Sequence, residues 1–179
     1  MKYWFSSDWH LCHNNIIKYD NRPFKTIGEM NSTIITNHNQ VVRQTDVFYY
    51  LGDFCLAPIK YIEEYISQLK GKLFFIKGNH DHRDVIKMYE KYGTYLGHMA
   101  EINIHGQNIT LNHYAMKVWN KSHHGSWHLY GHSHGSLPDD VNSRSIDVGV
   151  MNNNYYPFEF NQIKTIMESK EWKPIDHHR

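Results

Sequence analysis

The sequence predicts a mixed α/β domain whose second half is richer in strands than its first half. In the first half, short apolar runs typical of buried strands alternate with amphipathic stretches typical of helices. After Gly97 the helical stretches give way to successive strand-like runs. The sequence shows no repeat and no low-complexity linker, and its length suits one domain. We therefore expect a single domain over residues 1–179.

The first half contains three predicted strands, each followed by a helical stretch. The strands are the runs of aromatic and aliphatic residues at 3–6, 46–51 and 73–76. A helical turn over 14–19 ends at the segment 21–23, where an Asn-Arg-Pro sequence breaks the pattern. Thr26 and Glu29 have the spacing of a capping box, so we expect a longer helix to begin there. Two further helices, each with one apolar face, are predicted over 58–69 and 85–92.

Strand-like runs dominate the second half. Residues 101–104 and 108–112 flank a His-Gly-Gln turn and predict a β-hairpin. Two later strands and a final helix are predicted at 127–130, 145–150 and 161–168. The least regular segments are the predicted loops 118–127 and 136–144. Loops beside a site often select the substrate, whereas His177 and His178 belong to a tail that we expect to carry no function.

The composition is that of an ordinary soluble domain, except for its histidines. Hydrophobic residues make up 40% of the chain and charged residues 21%. The net charge is +1, and no basic block or stripe is present, so we expect no binding of long nucleic acid. The 15 histidines are an excess that indicates metal ligation, because neutral imidazole is the commonest metal ligand.

The location predicted from the sequence is the cytoplasm. Cys12 and Cys55 do not form a CxxC motif, and we interpret them as free thiols with small buried side chains. A predicted strand begins at the third residue, so we expect no signal peptide. No apolar run is long enough to span a bilayer, so we expect no membrane association.

Polar clusters follow the predicted strands and carry the chemistry of the chain. With Asp81 left aside, they contain two carboxylates, one carboxamide and five imidazoles. The clusters are Asp8-x-His10, Gly52-Asp53, Gly78-Asn79-His80-Asp81, His113 and Gly131-His132-Ser133-His134. Because strand ends of an α/β sheet converge on one crevice, we expect these distant clusters to meet. Carboxylate, amide and imidazole groups in such numbers predict a site for two metal ions.

These motifs, in this order, resemble those of the calcineurin-like metallophosphoesterase family. More narrowly, the chain looks like the short single-domain phosphoesterases of bacteria and phages. The resemblance covers nearly the whole chain. It implies a four-layer α/β/β/α sandwich, a fold more specific than the mixed α/β class that the residues alone predict.

The resemblance also implies a role for each clustered residue. One divalent ion would be held by Asp8, His10, Asp53 and His134. The second would share Asp53 and would also be held by Asn79, His113 and His132. His80 would face the leaving group as a proton donor, and Asp81 would orient His80. Arg22, Asn79 and His80 are the expected substrate contacts, Arg22 because arginine often binds phosphate.

The expected ligands favour phosphoester hydrolysis and a transition metal. A bridging carboxylate holds two ions about 3.5–4 Å apart, where a bridging hydroxide can attack phosphorus in line. Two divalent ions outweigh the charge of Asp8 and Asp53 even with that hydroxide, so the site would attract a phosphate anion. Mixed imidazole and oxygen ligands suit Mn, Fe, Zn or Ni, and we favour Mn(II).

The expected reaction is hydrolysis of a small phosphodiester, either nucleotide-like or a cyclic nucleotide. A phosphomonoesterase, including a protein phosphatase, is the first alternative, and the sequence offers little to separate the two. A nuclease is the second alternative, and the near-neutral charge counts against it. A catalytically inactive binding scaffold is the third, although such scaffolds lose metal ligands or the motif histidine His80, which are all present here. The sequence leaves the native metal and the oligomeric state open.

Overall fold

Nine short strands form two β-sheets at the centre of the computed structural model, which describes residues 1–176. The predicted tail residues His177 and His178 lie outside the described residues. In chain order the strands are β1 Tyr3–Ser6, β2 Val47–Tyr50, β3 Lys72–Phe75, β4 Thr94–Tyr95, β5 Met99–Ile104, β6 Gln107–Asn112, β7 Trp127–Tyr130, β8 Ser145–Asp147 and β9 Phe158–Glu159. The α-helices are α1 Ile16–Tyr19, α2 Ile27–Val41, α3 Ile59–Ile66, α4 Arg83–Tyr92 and α5 Phe160–Glu168.

In both sheets, the strands that precede the polar motifs pair mainly with parallel neighbours. The first sheet has the strand order β4-β3-β2-β1-β9, and only β9 is antiparallel to its neighbour. The second has the order β5-β6-β7-β8, with an antiparallel β5–β6 hairpin and parallel pairs beyond it. The carboxyl ends of β1, β2 and β3 therefore point the same way, as do those of β6 and β7. The motif loops follow these ends.

The capping signal in the sequence explains where α2 begins. The Thr26 hydroxyl accepts a hydrogen bond from the Glu29 N–H at 3.1 Å, and a Glu29 carboxylate oxygen accepts one from the Lys25 N–H at 2.8 Å. The first bond satisfies an N–H group that the first turn of the helix leaves unpaired, and the second ties the residue before the cap to that turn. The capping site predicted at Thr26 is confirmed, and α2 begins at the next residue.

Two clusters of buried apolar side chains lie between the layers of the fold. One lies between the first sheet and the helices packed on its outer face, and includes Phe48, Tyr50, Phe75, Ile34, Ile62 and Tyr89. The other lies between the two sheets and includes Phe5, Leu51, Ile109, Leu111, Leu129 and, from α5, Ile163. Fully burying one such side chain stabilises a fold by about 1.5–3 kcal/mol. The implied sandwich of two sheets flanked by helices is confirmed.

The segment after His113 packs on the outer face of the second sheet. Leu129 faces the other sheet, so its neighbours His128 and Tyr130 face outward, as alternation along a strand requires. The Trp119 ring packs 5.2 Å from the His128 ring, and the Met116 N–H donates to His128 Nε2 at 3.1 Å. The predicted loop after His113 thus forms part of the outer layer. Within residues 1–176, no helix is long and apolar enough to cross a membrane.

Candidate metal centre

Five of the expected ligands have a left-handed backbone. Their φ angles lie between 47° and 68°, a region that residues other than glycine seldom adopt. They are Asp8, His10, Asp53, His132 and His134. Such conformations cluster at functional sites because they aim side chains in directions that regular structure does not allow. Here the backbone leaves each strand and turns at once toward a common centre.

Asp8, His10 and His134 form the first metal group. One ligand atom from each lies within 4.8 Å of the others. His10 Nε2 is 3.1 Å from His134 Nε2, and His134 Nε2 is 3.5 Å from Asp8 Oδ1. All three residues come from segments that follow β1 or β7, so the two sheets meet at this group.

Asp53, His113 and His132 form the second metal group, and Asn79 joins them. The ligand atoms of the three residues again lie within 4.8 Å of one another. The Asn79 side-chain oxygen is 2.9 Å from both His113 Nε2 and His132 Nδ1. His113 is buried, whereas His132 and Asn79 are exposed, so this group opens toward solvent.

Asp53 faces both groups with one oxygen. Its Oδ2 lies 3.6 Å from His10 Nε2 and 3.4 Å from His113 Nε2. Its Oδ1 accepts a hydrogen bond from the His80 N–H at 2.8 Å, which fixes the carboxylate plane. The structure therefore brings all seven expected ligands into two adjacent groups, with Asp53 between them.

The chemistry of the donor atoms suits divalent cations. Asp8 Oδ1 is buried and has no hydrogen-bond partner within residues 1–176, although burying an unpaired carboxylate oxygen is costly. Burial lowers the pKa of His10 to about 3, so its ring stays neutral and keeps a lone pair for a metal. Two carboxylates, one amide oxygen and four imidazoles together suit Mn, Fe, Zn or Ni.

At two motif glycines the backbone lies so close to the candidate ligands that a side chain does not fit. A Cβ atom at Gly131 would lie 2.5 Å from Asp8 Oδ2, and one at Gly78 would collide with the Asp53 carboxylate. Neither glycine has a positive φ, so space rather than backbone freedom selects the residue. Even alanine at these positions would push a ligand away from its group.

Comparison with protein families matches residues 1–152 to the calcineurin-like phosphoesterase superfamily domain. The chain belongs to this superfamily. The uncharacterized protein MJ1445 of Methanocaldococcus jannaschii is 36% identical over 174 residues, which cover 93% of this chain and 92% of that protein. The crystal structure of AQ665 from Aquifex aeolicus, a protein of unknown function, has a TM-score of 0.72 at 22% identity and covers 92% of this chain and 98% of its own.

The predicted resemblance is thus confirmed, and the likeness to AQ665 shows that the fold is shared over nearly the whole chain. Membership of the superfamily indicates a metal-dependent phosphoester hydrolase. The two groups of candidate ligands agree with that class of enzyme.

His80 stands at the exposed edge of the centre. Its backbone is held by Asp53, while its ring lies 5.5 Å from the His10 ring in an edge-on arrangement. Within residues 1–176, no side chain hydrogen-bonds the His80 ring. The ring is therefore available to a bound molecule, and its role as a proton donor stays a prediction.

The prediction that Asp81 orients His80 is wrong. The Asp81 carboxylate is buried and accepts four hydrogen bonds, none of them from His80. The donors, at 2.8–3.0 Å, are the N–H groups of Gly78, Asp53 and Phe54 and the hydroxyl of Tyr89. Burial raises the pKa of Asp81, although the bonds from the backbone oppose that shift. Asp81 ties the loop after β3 to the loop after β2, so its role is structural.

The prediction that Arg22 contacts substrate is also wrong, because its side chain is completely buried. Its two terminal nitrogens donate to the carbonyl oxygens of Trp9 and Asp8, each at 2.9 Å. The guanidinium also pairs with Asp20 at 3.0 Å. The Asn-Arg-Pro segment brings Arg22 underneath the loop of the first group, not into the open part of the site.

Asp20 is a site residue that sequence reasoning missed. Its Oδ2 lies 2.8 Å from His134 Nδ1. Burial lowers the pKa of His134, but the hydrogen bond to Asp20 and the negative charge of Asp8 outweigh it and raise that pKa to about 10 in the absence of metal. The two carboxylates thus favour positive charge here, which a proton or a bound cation can supply. No local signal marks Asp20, because its contact with His134 spans 114 positions.

Cys12 and Cys55 meet beside the segment that carries His10. Cys55 is buried, Cys12 is half-buried, and both are free thiols, as expected. Their mutual hydrogen bond lowers the pKa of Cys12 to about 7. Asn31 also donates to the Cys12 sulfur at 3.6 Å. Neither sulfur belongs to a metal group within residues 1–176.

Proposed function

We propose that the chain is a phosphodiesterase that uses two divalent ions, with Mn(II) favoured, to hydrolyse small nucleotide-like or cyclic-nucleotide diesters. The observation that carries this proposal is the position of Asp53, whose single oxygen faces both ligand groups. Such sharing is what a pair of ions needs if both are to act on one phosphorus centre. When bound, the two ions supply Lewis acidity and lower the pKa of a water molecule.

The charge of the centre favours an anionic substrate. Only Asp8 and Asp53 carry negative charge among the seven ligands, because the other five are an amide and four imidazoles, which are not anionic near neutral pH. Two divalent ions would exceed that charge. The excess attracts a phosphoester and stabilises charge that develops on its oxygens.

Asn79 and His80 are the proposed substrate contacts. Both are exposed, and both line an open groove of about 610 Å³ that continues to Pro58, His82 and Asp84. A groove of this size accommodates a small organic ester. The Asn79 oxygen faces the second group, which leaves its NH₂ to donate to a phosphoryl oxygen.

His80 is the proposed general acid. Its ring N–H would donate a proton to the leaving oxygen as the ester bond to phosphorus breaks. The free ring at the open edge of the centre supports this role, since a general acid must reach the substrate. Asp81 takes no part in that transfer, because its carboxylate is held by backbone donors.

The test is a substrate screen of the purified protein with Mn(II). Bis(p-nitrophenyl) phosphate is compared with p-nitrophenyl phosphate, and cyclic nucleotides, dinucleotides, a phosphoprotein and short DNA follow. Preference for the diester and for small nucleotides is expected, with Asp53→Asn as the inactive control. A monoester preference would favour a phosphatase, and cleavage of DNA alone would favour a nuclease. Inactivity on every substrate would favour a binding scaffold.

The proposed partner is therefore a small phosphoester rather than long nucleic acid. The net charge of +1 supports this choice, since strong binding of nucleic acid needs many basic contacts. A cytoplasmic location stays a prediction, based on two unpaired cysteines.

A further inference from the structure

We propose that Asp20 and Arg22 position the first metal ion by holding all three ligands that this ion does not share. Asp20 holds the His134 ring, and Arg22 holds the loop that carries Asp8 and His10. The inference rests on the metal centre of the proposed function. It concerns how that centre is built and is independent of the substrate.

The bond from His134 to Asp20 sets which ring nitrogen faces the metal. Nδ1 lies 2.8 Å from the Asp20 carboxylate, so Nδ1 carries the proton and donates it. In the neutral ring Nε2 is then the unprotonated atom, and it is the one that lies 3.1 Å from His10 Nε2 and 3.5 Å from Asp8 Oδ1. A carboxylate behind a ligating histidine fixes the ring orientation and makes the ligand more basic.

Arg22 extends this support to the other two ligands. Its Nε and Nη2 bind the same Asp20 oxygen at 3.2 and 3.0 Å. Its Nη groups also bind the carbonyls of Asp8 and Trp9, immediately before His10 in the chain. The φ angles of Asp8 and His10 are 58° and 50°, so this loop holds an unfavourable conformation that needs outside support. The rigid guanidinium fork supplies that support in three directions.

Within the described part of the chain, the histidines of the second group have no comparable carboxylate behind them. His113 Nδ1 lies 2.7 Å from the Leu51 carbonyl oxygen, a neutral partner. His132 is exposed, and its Nδ1 already faces Asn79. Among residues 1–176, no carboxylate outside the two groups hydrogen-bonds either ring. Loss of Asp20 should therefore weaken one metal-binding step and spare the other.

The test is a titration of the metal-free full chain with Mn(II), followed by the electron paramagnetic resonance signal of the free ion. Wild type should show two binding steps. Asp20→Asn should weaken one step by about 10–100-fold, the usual effect of losing such a partner, and leave the other unchanged. Asp20→Glu should recover part of the loss. Arg22→Lys should weaken the same step, because an ammonium group cannot form the planar fork.

Asp46→Asn is the matched control. Asp46 is also a buried carboxylate, and it accepts bonds from the N–H groups of Lys2 and Arg43 at 2.7 and 3.1 Å. It precedes β2, at the opposite end of that strand from Asp53. The control should lower the free energy of unfolding and keep both binding steps.

Three outcomes would overturn the inference: unchanged Mn(II) binding in Asp20→Asn, equal weakening of both steps, or the same selective loss in Asp46→Asn. The titration measures binding without hydrolysis. A chain that shows the selective loss and cleaves no phosphoester would therefore refute the proposed function and support this inference.

Discussion

Replacing Asp81 tests whether its carboxylate has a structural or a catalytic role. Asp81 Oδ2 accepts from Gly78, Asp53 and Tyr89, and Oδ1 accepts from Phe54. In Asp81→Asn the single remaining oxygen can face the three donors, while the new NH₂ group meets the Phe54 N–H. One bond is lost, two donors oppose each other, and three bonds lose their charge assistance.

The expected cost follows from these changes. A hydrogen bond to a charged group contributes about 1.5–3 kcal/mol and a neutral one about 0.5–1.5 kcal/mol, and an unsatisfied buried donor costs about 1–3 kcal/mol. Relief from burying a charge offsets part of the sum, since burial raises the pKa of Asp81. We expect a loss of about 3 kcal/mol in the free energy of unfolding. For a chain of this size that lowers Tm by about 6–12 °C.

The assay is urea unfolding in the presence of a chelator, so that loss of metal does not contribute. Tyr89→Phe is the matched control, because it removes one of the four bonds to the carboxylate, keeps the charge, and should cost about 1.5–3 kcal/mol. Hydrolysis is measured in parallel on esters with good and poor leaving groups. The structural role would be refuted by Asp81→Asn with unchanged stability and a rate loss confined to poor leaving groups, which is the result that orientation of His80 would give.

Three further predictions concern other parts of the chain. His80→Ala should keep both metals by elemental analysis and lose about 10²–10⁴-fold in rate, mostly on poor leaving groups, and equal loss on all esters would exclude an acid role. Gly131→Ala should displace Asp8 and abolish one Mn(II) step, and full binding would contradict the close packing. Burial lowers the pKa of His38 to about 4, whereas an unfolded histidine takes up a proton near pH 6.5. The free energy of unfolding should thus fall by about 3 kcal/mol between pH 6.5 and 4, and His38→Gln, which can still donate to Lys70, should reduce that dependence.

The positions of the candidate metal ligands were predictable because sequence position and strand direction together determine where they lie. Asp8, Asp53 and Asn79 follow parallel strands of one sheet, and His113 and His132 follow strands of the other. A residue just beyond a parallel strand must lie at the common edge, whatever the details of packing. Family motifs then indicated which polar residues at that edge are candidate metal ligands.

Roles that depend on side-chain direction were not predictable in this way. Asp81 is next to His80 in the chain, yet the two side chains diverge, and Asp81 turns toward β2 and Tyr89. Arg22 lies in a segment with no regular pattern, and only the packed fold shows that its side chain is buried. The strands β4 and β9 contain two residues each, too few for a periodic pattern, and they form because a neighbouring strand offers hydrogen-bond partners.

The left-handed backbone of five candidate ligands has a conformational cost that bears on metal binding. Each such residue costs about 1–2 kcal/mol relative to a right-handed conformation. Over five positions this is comparable to the whole net stability of an ordinary domain, about 5–15 kcal/mol. Arg22 supports one of these loops, and under the proposed function metal coordination would offset part of the remaining cost. Apparent metal affinity would then understate the strength of coordination, and removal of the ions would loosen this edge while both apolar clusters stay intact.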